Sequence, residues 1–108
     1  MNTINLIGRV ANDLEIAQGK EIKIAKFRLA VQRQVKKDSG QQDVDFIPCS
    51  ALGNTAEFLE KYVSKGQQIG VVGKLRMNRY EKDGQIKTAA EVVINEVYFA
   101  GDKKNLEQ

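Results

Sequence analysis

Apolar and polar residues alternate along most of this chain with a period of two, the pattern of strands that bury one face. Residues 3–10 place Ile4 and Leu6 on one side and close at the turn-like Ala11-Asn12-Asp13, and a short extended piece follows over residues 14–17. Residues 22–33 alternate again, with Phe27, Leu29 and Val31 against Lys26, Arg28, Ala30 and Gln32. The polar run from Lys36 to Asp43 reads as a hairpin loop. A further strand over residues 45–52 sets Ile47, Cys49 and Ala51 against Phe46, Ser50 and Leu52. Pro48 within it lacks a ladder donor and is expected at an edge or a bulge.

The period then changes. Ala56, Leu59 and Val63 recur at helical spacing, flanked by Phe58 and Tyr62. Asn54 with Glu57 predicts a capping box at the helix start, and Lys65-Gly66 predicts a left-handed cap at its end. A long strand over residues 68–80 contains Gly70 and Gly73, expected where a barrel coils or closes. Glu81-Lys82-Asp83-Gly84 carries a hairpin signature, and residues 86–99 return with Val92, Val93 and Ile94. Three strands, one helix and two strands predict an all-β fold, a five-stranded OB-type Greek-key barrel with its α-helix between strands three and four. The barrel domain spans residues 1–100, and residues 101–108 form a short polar tail expected to fray.

Composition narrows the chemistry. The 108 residues are 42% hydrophobic and 29% charged, enough for one small core. No apolar run reaches membrane-spanning length and the start lacks a signal-peptide pattern, so a soluble cytoplasmic protein is expected. Cys49 is the single cysteine and there is no histidine, which removes an internal disulfide, the commonest general base and the usual metal ligands. Asp38, Asp43 and Asp45 surround the polar loop and read as solvated charge rather than as metal ligands. Neither catalytic residue, metal nor cofactor is expected. A net charge of +3 is only a mild argument for an acidic partner.

The placement of charge says more. Strand parity puts Lys74, Arg76, Asn78 and Tyr80 on one face, opposite Leu75 and Met77. Lys26 and Arg28 on the second long strand, and Phe46 and Leu52 on the third, also point away from the core side. Cations neutralise phosphates and release counterions. Flat rings stack on unpaired bases at about 1–3 kcal/mol each, whatever the base. The pattern suits single-stranded DNA bound without sequence preference.

Several motifs, in order, resemble the bacterial single-stranded DNA-binding proteins. They are Met1-Asn2-x-Ile4-x-Leu6-Ile7-Gly8-Arg9; Phe27-x-Leu29-Ala30-Val31 with Arg33; Asp45-Phe46-Ile47-x-Cys49 with Gly53 and Ala56-Glu57; and Tyr62-Val63-x-Lys65-Gly66. The series continues through Val71-x-Gly73-Lys74-Leu75, Arg76 to Tyr80, Gly84 and Glu91-Val92-Val93. The resemblance implies an OB fold, protection of single-stranded DNA in replication, recombination or repair, a nucleoid-associated location and assembly as a homotetramer. It places stacking positions at Phe46 and Tyr80, a third at Leu52, which has no ring, and a fourth near Gln34 or Val35. Arg9, Arg28, Arg33, Lys36, Lys37, Lys74 and Arg76 are the candidate phosphate contacts. With two rings in place, a steeper salt dependence is expected. An acidic tip that recruits replication and repair proteins has no counterpart in Lys104-Asn105-Leu106-Glu107-Gln108, so such partners are not assigned. The alternative is an OB module of the primosomal replication-restart type, acting through protein as well as DNA contacts.

Overall fold

The computed structural model describes residues 1–33 and 43–100. Its elements are β1 (Ile4–Val10), β2 (Glu15–Gln18), β3 (Lys23–Gln32), β4 (Val44–Leu52), α1 (Asn54–Tyr62), β5 (Gln68–Lys82) and β6 (Gln85–Phe99). β1 pairs with β5, β5 with β6, β6 with β4, β4 with β3, and β3 again with β1. These pairings close a ring, so the five strands in it keep no fully free edge of the kind that invites aggregation. Among the described residues only the β4–β6 pairing is parallel. The expected barrel is therefore present. The extended piece after β1 adds a sixth strand, β2, laid antiparallel against β3 outside the ring.

Parity decides what fills the barrel. Val10, Ala25, Phe27, Leu29, Cys49, Ala51, Ile69, Val71, Val92 and Ile94 are buried inside, and Ala56 and Leu59 of α1, with Val63 just after it, close one end. Burial pushes the Cys49 thiol up to about 12, so it behaves as a small apolar side chain.

Two glycines let strands cross closely. A Cβ on Gly73 would lie 2.2 Å from the Val93 carbonyl oxygen, where β5 and β6 shift register between Val72 and Gly73. A Cβ on Gly8 would lie 2.4 Å from the Ala30 carbonyl oxygen, where β1 meets β3. Gly70 has no such constraint, its nearest neighbour being 3.7 Å away. Pro48 sits at an edge position, as expected. Its partner Arg28 turns its backbone N–H to Asn12 and its carbonyl to Ala11, away from β4, and pairing with β6 begins only at Cys49. The missing proline N–H therefore leaves no ladder bond unmade.

The helix ends differ from the sequence expectation. Gly53, at φ 63°, is the N-cap, Asn54 is the first helical residue, and no side chain caps the helix. The chain leaves β4 too sharply for any residue but glycine to make the corner comfortably. At the other end Val63, in extended conformation, is the C-cap, and its N–H donates to Leu59 O at 3.0 Å. Gly66 does have a positive φ of 90°, but beyond the helix, where its N–H donates to Val10 O at 2.8 Å.

The Asp83-Gly84 turn, with φ of 53° and 77°, joins β5 to β6 as a two-residue hairpin. Both residues in the left-handed region match the twist of the strands they connect. Beyond Arg76 and its partner Glu91 this hairpin leaves the barrel as an arm, exposed but for the half-buried Asn78. Leu75 and Met77, read from parity as opposite the polar face, are exposed rather than core.

Candidate nucleic-acid interface

Residues paired across a sheet point to the same side. Applied to the observed registers, this gives one outward row running Lys74, Val93, Ser50, Lys26 and Glu15 across five strands. A second runs through Arg76 and Glu91 on β5 and β6 to the neighbouring Pro48 and Arg28 on β4 and β3. Ala30 and Phe46 pair beside it, and Tyr80 faces Lys87 on the arm. The parity argument is thereby realised as a continuous face over β3, β4, β6 and the arm.

Phe46 is 59% exposed, Leu52 44% and Tyr80 46%, each large apolar surface without a core role. Phe46 and Leu52 are separated by about 20 Å along β4, six strand residues at about 3.3 Å each. Tyr80 lies about 13 Å beyond Arg76 on the arm, four residues on. A flexible strand of several nucleotides spans such distances, whereas one small ligand does not. Between the rings the face offers Lys74, Lys26 and Arg28, all exposed.

Three expected cations are already engaged. Arg33 forms a bidentate pair with Asp45, Nη2 to Oδ1 at 2.7 Å and Nε to both oxygens at 3.0 Å. That pair locks the base of the segment between β3 and β4, where the Arg33 N–H also donates to Asp43 O at 2.9 Å. The hydrogen-bonded guanidinium holds the Asp45 carboxyl below the usual carboxylate range. Arg9 lies around the barrel on β1, in a row with Gln68 and Ala30, and its Nη1 donates to Gly66 O at 3.1 Å. Arg76 donates from Nη2 to Glu91 Oε1 at 2.5 Å while half of its side chain stays exposed. Lys36 and Lys37, with the fourth stacking position at Gln34 or Val35, lie outside the described residues.

In the sequence Glu91 stands out only as part of the Glu91-Val92-Val93 motif. It is only 8% exposed, on a face otherwise fitted to a polyanion. Burial alone would raise its carboxyl, but Arg76, Asn78 and Ser50 together outweigh burial and hold it low. Asn12, Glu15, Lys26, Arg28, Pro48 and Glu91 line a cleft of about 210 Å³ beside it.

Elsewhere the surface is different. Ile7, Gly70 and Tyr98 form an outward row on β1, β5 and β6, with Ile7 60% and Tyr98 55% exposed. Among the described residues no helix is long and apolar enough to cross a membrane.

Comparison with known proteins agrees with this geometry. The model of the single-strand binding protein family matches residues 1–100. A single-stranded DNA-binding protein of Staphylococcus epidermidis is 36% identical over 103 residues, covering 95% of this chain and 79% of that protein. One of Clostridium perfringens is 41% identical over 102 residues, covering 92% of this chain but 65% of its relative, just under two thirds of its length. Among solved structures, the Plasmodium falciparum SSB in complex with ssDNA superposes with a TM-score of 0.83 at 24% identity, covering 94% of this chain and 96% of that one. That likeness establishes the shared fold.

Proposed function

The chain belongs to the single-strand binding protein family, and on that premise we propose that it binds and protects single-stranded DNA, without sequence preference, through the face spanning β3, β4, β6 and the β5–β6 arm. It is a binding protein and not an enzyme. The carrying observation is the coincidence, on one side of the closed barrel, of exposed Phe46, Leu52 and Tyr80 with exposed Lys26, Arg28 and Lys74. Bases stack on Phe46 and Tyr80, Leu52 supplies apolar contact, and phosphates meet Lys74, Arg28 and, outside the described residues, Lys36 and Lys37. Arg9, Arg33 and Arg76 act from within their existing bonds and contribute less free charge.

Residues 1–100 carry this activity as one domain, and the protein works in the cytoplasm, on the nucleoid, during replication, recombination or repair. It assembles as a homotetramer, so that one strand contacts several barrels.

Titration with oligo-dT, followed by fluorescence anisotropy, tests the reading. Phe46→Ala and Tyr80→Ala are each expected to weaken binding by about 1–3 kcal/mol. Unchanged affinity in both variants would overturn the assignment of the face. Equal affinity for poly-dT and poly-U would argue instead for an RNA-tolerant partner choice.

A further inference from the structure

An acidic side chain in the middle of a surface for a polyanion calls for a reason. Glu91 is nearly buried, and the groups that meet its carboxylate come from two neighbouring strands, Ser50 on β4 and Arg76 and Asn78 on β5. Arg76 lies directly opposite it in the β5–β6 register, joined by a 2.5 Å ion pair. Glu91 and Val93 flank Val92 on β6, where β6 meets β4 at Cys49 and Ser50, so the carboxylate sits at the parallel β4–β6 junction of the barrel. A guanidinium held there is not equivalent to a free lysine. Its charge is answered before any phosphate arrives, and its position is fixed by a group that has lost most of its water.

We propose that Glu91 is a positioning residue for strand binding: it holds the Arg76 guanidinium against the β4–β6 seam and so withdraws one cation from the count of neutralised phosphates. The inference rests on the reading of this face as the DNA surface. Removing the acid frees Arg76 to act as an ordinary phosphate contact. Removing the arginine leaves an unanswered carboxylate facing the strand, and removing both restores the original charge balance.

The test measures the salt dependence of oligo-dT binding by the full chain for the wild type, Glu91→Gln, Arg76→Ala and the double variant. On single strands each neutralised phosphate adds about 0.7 to the magnitude of the slope of log K against log salt. Glu91→Gln is expected to steepen the slope by about that 0.7, which corresponds to roughly eight-fold tighter binding at about 50 mM salt. Arg76→Ala is expected to flatten it, and the double variant to return to the wild-type slope. If Glu91→Gln keeps the wild-type slope and the double variant behaves like Arg76→Ala, Arg76 is a plain phosphate contact and the proposal is overturned. Far-UV circular dichroism establishes that each variant is folded. Should Glu91→Gln not fold, the wild-type protein still decides: the Arg76 side-chain Nε–H resonance should hold its frequency as oligo-dT is added. A shift to a phosphate-bound position would reject the proposal. Failure of the wild type to bind oligo-dT at all would instead reject the DNA face, which separates the two readings.

Discussion

Among the described residues, the carboxyls of Asp45 and Glu91 are each held low by an arginine. A group whose carboxyl is depressed on folding stabilises the native state above its unfolded value and loses that contribution as the pH falls through its folded value. For Glu91 the ordinary value is 4.5, so its share is full at neutral pH and disappears in the acid range below it. A melting-temperature series from pH 6 to pH 3 is expected to fall for the wild type and to fall less for Glu91→Gln. Parallel profiles would show that the pair carries no pH-linked stability. The Arg76–Glu91 pairing was within reach of the sequence, because a two-residue turn at Asp83-Gly84 makes residues equidistant from it partners. Its burial was not, since that depends on β4 arriving from elsewhere in the chain. The same holds for Arg33, legible as a cation but not as one already bound to Asp45, on the opposite side of the β3–β4 connection.

At the level of elements, alternation located every long strand and the helix, because burial on one face imposes a readable period. It misjudged the helix start and the arm. Side-chain preference points to Asn54 as the N-cap, whereas the backbone needs a positive φ one residue earlier, at Gly53. Leu75 and Met77 continue the alternation of the barrel into a hairpin that has left it, and nothing local marks where the core ends. Gly73 lies just before that departure and makes the bulge possible. Gly73→Ala drives a methyl group into the Val93 backbone and is expected to destabilise the protein by at least about 2 kcal/mol. Gly70→Ala meets only ordinary contacts and should change stability by less than about 1 kcal/mol. Urea denaturation of the two variants beside the wild type gives the comparison, and equal stabilities would show that the strand crossing adapts more readily than its geometry suggests.

Across the whole molecule, Phe46, Leu52 and Tyr80 share an outward face with Lys26, Arg28 and Lys74, and the Ile7–Gly70–Tyr98 row is a second exposed apolar feature, on β1, β5 and β6. Gly70 contributes no side chain between its two neighbours, so Ile7 and Tyr98 present a shallow apolar surface of a kind that a second copy of the chain can cover. In a homotetramer of that kind, a strand bound to one barrel meets the next at a high effective concentration, and affinity rises with oligonucleotide length even though no new type of contact is made. Ile7→Lys places a charge on that apolar surface and leaves Phe46, Tyr80 and Lys74 unchanged. Light scattering is expected to show a smaller assembly for this variant. Its affinity for an oligo-dT short enough to occupy one barrel should match the wild type, while its affinity for a long oligo-dT should fall by about ten-fold or more as the linked sites separate. A variant that dissociates yet binds the long strand as tightly as the wild type would mean that each barrel works alone. An equal loss on short and long strands would place the Ile7 row within the DNA site itself.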